Sequence, residues 1–294
     1  MKILVTGASG MLGQRVVPAL LAEGFEVRCF VRPQSVGKLR FDFMTELCLD
    51  RVDNSLEKSL SGCRAVVNLV GIIRESFPTT FRKVHVEYVQ RLLKAARKQG
   101  VKRIIQVSAV GASAHSIHPY LRTKYEGERL LRESGLDYTV FRPTFMYDRG
   151  GLAIETFIRQ VRRLPVVPVI GDGSYRQQPL FAGDLAAGIA RSLAGKSFIK
   201  KTYQAGGPEQ LTYNQLLDRI GSVFSKKVRK LKVPVRWARK ASALLGQFRF
   251  YPLDPDQLEL LLMDDICDEK PFYRDFGIIP TLFINGLSKV ISHV

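Results

Sequence analysis

The sequence predicts an α/β protein, a doubly wound parallel sheet with a smaller mixed C-terminal lobe, and three observations carry that expectation. An apolar, β-favouring run from Lys2 to Thr6 passes through Gly7, Gly10 and Gly13 directly into helical periodicity, as a parallel strand does when it turns into a helix. Strand and helix patterns then alternate until a sixth strand at Asp137 to Arg142, which is the pattern of a parallel sheet with helical crossovers. Beyond Pro143 the alternation loosens into shorter, mixed elements. The 294 residues are enough for both parts. The expected division is a dinucleotide-binding domain over 1–145, with 181–208 returning to it, and a substrate or partner lobe over 146–180 and 209–294.

The first helix places Leu12, Val16, Ala19 and Leu20 at helical spacing and stops at Gly24. Gly7, Gly10 and Gly13 remove the side chains that would keep a pyrophosphate off the backbone, and the helix N-terminus supplies N–H groups and positive potential. Thr6, Gly7, Ser9, Gly10, Met11, Leu12 and Gly13 are therefore the candidate phosphate cradle. The second strand, Glu26 to Val31, carries Arg28 and ends in Arg32, with Lys38 close behind, where a Rossmann-type fold specific for NAD has an acidic residue for the ribose hydroxyls. A basic residue there pairs with a 2′-phosphate, so the expected cofactor is NADP(H), with NAD(H) as the alternative. A third strand at Thr45 to Leu49 ends at Asp50, a candidate acceptor for an adenine amino group, and Asp53 caps a short helix.

The fourth strand, Arg64 to Gly71, is nearly continuous and apolar, as a strand covered on both faces should be, and delivers Val70 and Gly71 to the cofactor edge of the sheet. A long helix is expected over Phe81 to Gln99. The fifth strand, Lys102 to Ser108, brings Ser108 to the same edge. Pro119 then opens a helix that puts Tyr120 and Lys124 at i and i+4 on one face. The sixth strand runs into Pro143, also at that edge. Further helices are expected after Gly150-Gly151, over Ala182 to Leu193, after a Thr212 cap, over Asp254 to Leu262 and after Pro280, with a strand at Thr202 to Ala205.

The formal charge of +18 asks for an anionic partner. Half of it sits in Ser225 to Pro252, which holds Lys226, Lys227, Arg229, Lys230, Lys232, Arg236, Arg239, Lys240 and Arg249 and no acidic residue. Within it, Pro234 starts a helix expected to set Ala238, Ala241, Leu244, Leu245 and Phe248 on one side against Arg236, Arg239, Lys240 and Gln247. Two expectations follow for 225–252: an interfacial helix with Trp237 nearby, making peripheral membrane or protein-complex contact, or an ordinary packed helix with a solvated basic face. Nucleic acid is not expected, because apart from Trp237 and the Phe248 to Tyr251 cluster no aromatic stacking pattern or known binding module accompanies the lysines. Four scattered cysteines without C-x-x-C spacing read as reduced, buried thiols, and no metal site is expected. No signal precedes the glycine turn, and no apolar run is long enough for a bilayer, the longest being Ala65 to Ile73 with Asn68 inside it. The expectation is a cytoplasmic protein, peripheral at the inner face of a membrane if the basic segment meets one.

The Gly-x-x-Gly-x-x-Gly turn, Ser108 at the end of strand five and Tyr120-x-x-x-Lys124 beyond it together resemble the extended and atypical branches of the short-chain dehydrogenase/reductase superfamily. Val107-Ser-Ala-Val-Gly111, Tyr138-Thr-Val-Phe-Arg-Pro143, Gln178-Pro-Leu-Phe-Ala-Gly-Asp184, Gly207-Pro-Glu-Gln-Leu-Thr212 and Asp256-Gln-Leu-Glu-Leu-Leu261 make the chain similar to the Rossmann-type accessory subunits of mitochondrial complex I and their bacterial relatives. The resemblance implies Tyr120 as general acid/base at a substrate carbonyl or alcohol. Lys124 would lower a phenol pKa of about 10 and contact the nicotinamide ribose, and Ser108 would polarise the substrate oxygen. It equally implies a non-catalytic protein whose NADPH serves structure. Two departures stand out: Val84-His85-Val86 occupies the place of a common family asparagine, and Ala109 and Val110 stand where the family serine often lies. The two functional expectations are an oxidoreductase on an apolar or quinone-like carbonyl and an NADPH-stabilised accessory or assembly protein of a respiratory or quinone-biosynthesis complex.

Overall fold

A computed structural model describes residues 1–40, 46–50, 55–246 and 253–291. Thr45, Asp53 and the 247–252 part of the basic segment, with Phe248 and Arg249, lie outside the described residues. The first half runs β1 (Lys2–Thr6), α1 (Gly13–Ala22), β2 (Glu26–Val31), β3 (Glu46–Leu49), α2 (Ser55–Ser59), β4 (Ala65–Asn68), α3 (Tyr88–Lys98), β5 (Arg103–Val107), α4 (Pro119–Arg132) and β6 (Asp137–Pro143). There follow β7 (Met146–Tyr147), α5 (Leu152–Arg163), β8 (Val167–Ile170), β9 (Arg176–Gln177), β10 (Leu180–Phe181), α6 (Ala182–Ser192), β11 (Lys201–Ala205) and β12 (Leu211–Thr212). The chain continues through α7 (Tyr213–Val223), β13 (Lys230–Val233), α8 (Val235–Leu245), α9 (Pro255–Leu262), α10 (Lys270–Phe276) and α11 (Phe283–Ile291).

The main sheet has seven strands in the order β11-β6-β5-β4-β1-β2-β3, every pair parallel. The chain leaves β1 in one direction for β2 and β3 and crosses back to β4, so β1 and β4 flank the topological switch point, where an open α/β sheet forms its ligand crevice. Apolar strands covered on both faces explain why β4 and β5 are buried at every residue. The expected helix over 81–99 is present, running over 81–98, but Lys83–Glu87 within it is a π-helical turn, and regular α-helix resumes at Tyr88. Such turns insert one residue into a helix and re-aim its side chains.

The chain divides into two compact units. The first comprises Met1–Pro143, Ala182–Ala205 and Lys270–Ile279, and the second Thr144–Phe181, Gly206–Glu269 and Pro280–Val294. The sequence reading groups 209–294 together, whereas α10 belongs with the first unit, where Phe272 and Phe276 pack on Phe141. In the second unit α5, α7 and α11 enclose a core that includes Ile158, Val161, Leu216, Leu217, Phe283 and Leu287. Its helix starts follow their cap residues. Thr212 and Asp254 each form a capping box, with Gln215 and Gln257 respectively.

Candidate functional site

The glycine turn lies at the carboxyl end of β1, and its geometry demands glycine. Gly7 has φ +79°, and a Cβ on it would stand 3.0 Å from the Leu69 carbonyl carbon, so the turn presses on the loop after β4. A Cβ on Gly13 would stand 2.5 Å from the Gly7 and Ala8 carbonyl oxygens. The Gly10 N–H donates to the Gly7 oxygen at 3.0 Å and the Gln14 N–H to the Gly10 oxygen at 3.0 Å, which leaves Ser9, Met11 and Leu12 at the entry to α1. Beneath this turn, Thr6 Oγ1 donates to Asn68 Oδ1 at 2.7 Å and Asn68 Nδ2 to Gln106 Oε1 at 2.7 Å. Asn68 Oδ1 also accepts from the Val70 N–H at 3.2 Å. A buried polar chain across β1, β4 and β5 thus fixes the backbone at the switch point.

The basic residues near β2 divide in two. Arg28 is buried, and its Nη1 donates to the Ser59 and Ser61 carbonyls at 2.6 and 2.7 Å while Nη2 pairs with Glu46 at 2.8 Å. It closes the C-terminal end of α2, and the phosphate expectation stays with Arg32 and Lys38. Arg32 is exposed just past β2, at the start of a 3-10 turn over Pro33–Lys38. Gln14 of α1 pins this turn, donating to the Lys38 carbonyl at 2.7 Å and accepting from the Arg40 N–H at 3.0 Å. Asp50 follows β3; its N–H donates to Val31 and its carboxylate accepts from Ser55 Oγ at 3.2 Å.

At the ends of β4, β5 and β6 the structure brings Gly71, Ser108, Pro143, Tyr120 and Lys124 into one neighbourhood. The Ser108 N–H donates to Phe141 at 2.7 Å and the Val110 N–H to Pro143 at 3.0 Å, while the Ser108 Oγ is buried without a protein partner. Lys124 Nζ donates to the Val107 carbonyl at 3.4 Å and lies 2.8 Å from where a Gly71 Cβ would be, so a side chain there would push on the ammonium. Burial lowers the Lys124 pKa to about 8, against which the Glu128 carboxylate works. The ammonium lies 5.9 Å from the Tyr120 ring centroid.

His85 completes the cluster, and its role is not legible in the sequence beyond its place in the motif. Its Nε2 accepts from the Ile72 N–H at 3.2 Å, and its Nδ1 lies 3.0 Å from Thr123 Oγ1. Its ring stacks on Phe81 and meets Tyr120 edge-on. Burial, with the Lys124 charge adding to it, lowers its pKa to about 3, so it is neutral with the proton on Nδ1. The π-helical turn aims His85 inward, and α4 packs on that turn so tightly that a Cβ on Gly127 would collide with the His85 carbonyl oxygen. A second unforeseen group anchors α4: the buried Glu128 carboxylate takes a bidentate pair from Arg142 of β6, both contacts 2.8 Å, and an ion pair from Arg132. The i,i+4 spacing of Glu128 and Arg132 is visible in the sequence; the burial that makes the pair structural is not.

Residues 7–162 match the NAD(P)H-binding family, and the chain belongs to that family. Among its relatives is the rat NADH dehydrogenase [ubiquinone] 1 alpha subcomplex subunit 9, mitochondrial, 28% identical over 94% of this chain and 76% of the relative. The Arabidopsis thaliana protein of the same name is 25% identical over 94% and 73%. Photosystem II assembly factor Ycf39 of Guillardia theta is 25% identical over 95% and 90%. UDP-glucuronic acid 4-epimerase from Bacillus cereus, solved with UDP-glucuronic acid and NAD, shares the fold with a TM-score of 0.77 over the whole of both chains at 19% identity. These findings agree with the resemblance the motifs carry, both to the short-chain dehydrogenase/reductase superfamily and to the complex I accessory subunit.

Proposed function

We propose that this chain is an NADP(H)-holding accessory or assembly protein of a respiratory or quinone-handling complex, in which the nucleotide stabilises the first unit and the second unit engages the complex. The observation that carries this reading is that similarity to named subunits and to an assembly factor extends through both units, over 94–95% of the chain. In this reading the glycine turn from Thr6 to Gly13 receives the pyrophosphate, Arg32 and then Lys38 the 2′-phosphate, and Asp50 the adenine. Val70, Gly71 and Pro143 line the nicotinamide end, and Tyr120 and Lys124 bind its ribose. The orphaned Ser108 Oγ fits a bound group at that end.

The Tyr120, Lys124 and Ser108 neighbourhood favours a second reading, oxidoreduction of an apolar or quinone-like carbonyl. The nicotinamide would supply hydride chemistry when bound. Tyr120 would hold the proton delivered to the substrate oxygen, Lys124 would favour the phenolate, and Ser108 would orient that oxygen.

The test is to release and identify the nucleotide that copurifies, then to capture partners with the full chain. NADPH or NADP⁺ in near-stoichiometric amount, with Arg32→Glu weakening NADPH at least about tenfold relative to NADH, supports the assignment. A defined complex retained by the wild type supports the accessory role. NAD alone would overturn the cofactor preference, and a chain that captures no complex would overturn the role.

A further inference from the structure

The helix α8 inverts the usual logic of a surface helix. Its buried residues are Ala238 and Ser242, which are small and place one narrow side of the helix on the second unit. The opposite side carries Trp237 and Leu244, 56% and 70% exposed, beside Arg236 and Lys240. Leu244 therefore faces outward with the basic residues, and the expectation that Ala238 and Leu244 share one side of the helix, opposite Arg236 and Lys240, is corrected: the small residues pack and the large ones do not. Arg236 and Lys240 stand over the Trp237 ring at 5.9 and 5.4 Å, and neither makes an ion pair among the described residues. Arg239, by contrast, turns aside to Glu259 at 2.7 Å. Just before α8, β13 adds Leu231, 60% exposed, beside Lys232.

We propose that this face of α8 docks on an anionic lipid bilayer, with Trp237 and Leu244 entering the interface and Arg236 and Lys240 paired with lipid phosphates. An indole flanked by long cationic side chains suits the boundary between headgroups and acyl chains, where it finds both apolar and polar surroundings. The absence of any acidic residue from 225 to 252 gives the complementary charge. No helix among the described residues is long and apolar enough to cross a membrane, so contact through this face is surface contact. The proposal stands on the second unit alone and does not depend on the nucleotide.

Trp237 is the only tryptophan in the chain, so its emission reports directly on this face. The full chain is mixed with vesicles of phosphatidylcholine alone or of phosphatidylcholine with phosphatidylglycerol, and cosedimentation and emission are read together. The expected result is binding to the anionic vesicles only, with a blue shift and quenching by brominated acyl chains. Arg236→Glu with Lys240→Glu should weaken binding at least about tenfold while leaving the melting temperature unchanged. Leu244→Ser should reduce binding and keep the tryptophan as reporter. No binding to anionic vesicles, binding without quenching, or binding that the charge reversal leaves intact would each overturn the proposal. So would a basic face that binds an acidic protein but no vesicle.

Discussion

The switch-point edge of the first unit and the α8 face of the second both depend on positive charge, and they use it in opposite ways. Lys124 and Arg142 are largely withdrawn from water and held by a carbonyl and a carboxylate, so each has one geometry and a high cost of removal. Arg236 and Lys240 stay in solvent over an aromatic ring, where removing them costs the fold little and changes what the surface attracts. The lesson is that the net charge of +18 is not one property. Burial separates charges that build the site from charges that meet a partner.

The sharpest way to break that contrast is at Glu128. Glu128→Leu leaves Arg142 unpaired against α4 and should destabilise by about 3–5 kcal/mol in denaturant titration; a change below about 1 kcal/mol would mean that the pair does not anchor the helix. Asp265 asks whether burial rather than the unit decides the outcome. Its carboxylate accepts from the Phe145 N–H at 2.6 Å, and burial raises its pKa to about 6. An acid whose folded pKa is raised contributes stability that is complete below its unfolded pKa of about 4 and lost as pH rises through 6. The second unit should therefore gain stability on acidification across that window. Asp265→Asn, which keeps an acceptor, should flatten the dependence and stabilise at neutral pH by roughly 1–3 kcal/mol.

His85 tests a neutral group in the same interior as Lys124. His85→Ala leaves the Ile72 N–H without its acceptor and should cost about 1–3 kcal/mol, whereas His85→Asn should recover part of that loss and of NADPH affinity. Equal loss in both variants would show that ring packing on Phe81, not the hydrogen bond, is what matters. The smallest expected effect on stability is the α8 charge reversal, within about 0.5 kcal/mol. Its readout is vesicle binding instead.

Much of the first unit was legible in the sequence because its signals are local. The glycine spacing, the two-sided apolar strands and the proline before Tyr120 are each decided by neighbours a few residues apart, and the parallel sheet follows from their alternation. Arg28 and Arg32 show where that reading fails. They are four residues apart and alike in type, yet one faces carbonyls more than thirty residues further on and the other faces water. The Arg142 and Glu128 pair and the π-helical aim of His85 failed to appear for the same reason, being products of packing between elements. The outward placement of Leu244 was hidden because periodicity gives the faces of a helix but not which face the protein covers.

The central claim, that the first unit holds its nucleotide for structure rather than turnover, is tested most directly by loading the full chain with NADPH and following reduced-nicotinamide absorbance beside thermal unfolding. Quinones, isoprenoid carbonyls and simple ketones are added in turn. The account predicts a raised melting temperature, by about 2.7 kcal/mol of added stability at a hundredfold excess over Kd, and absorbance that persists with every acceptor. Catalytic loss of that absorbance with one of them, abolished by Tyr120→Phe, would contradict it.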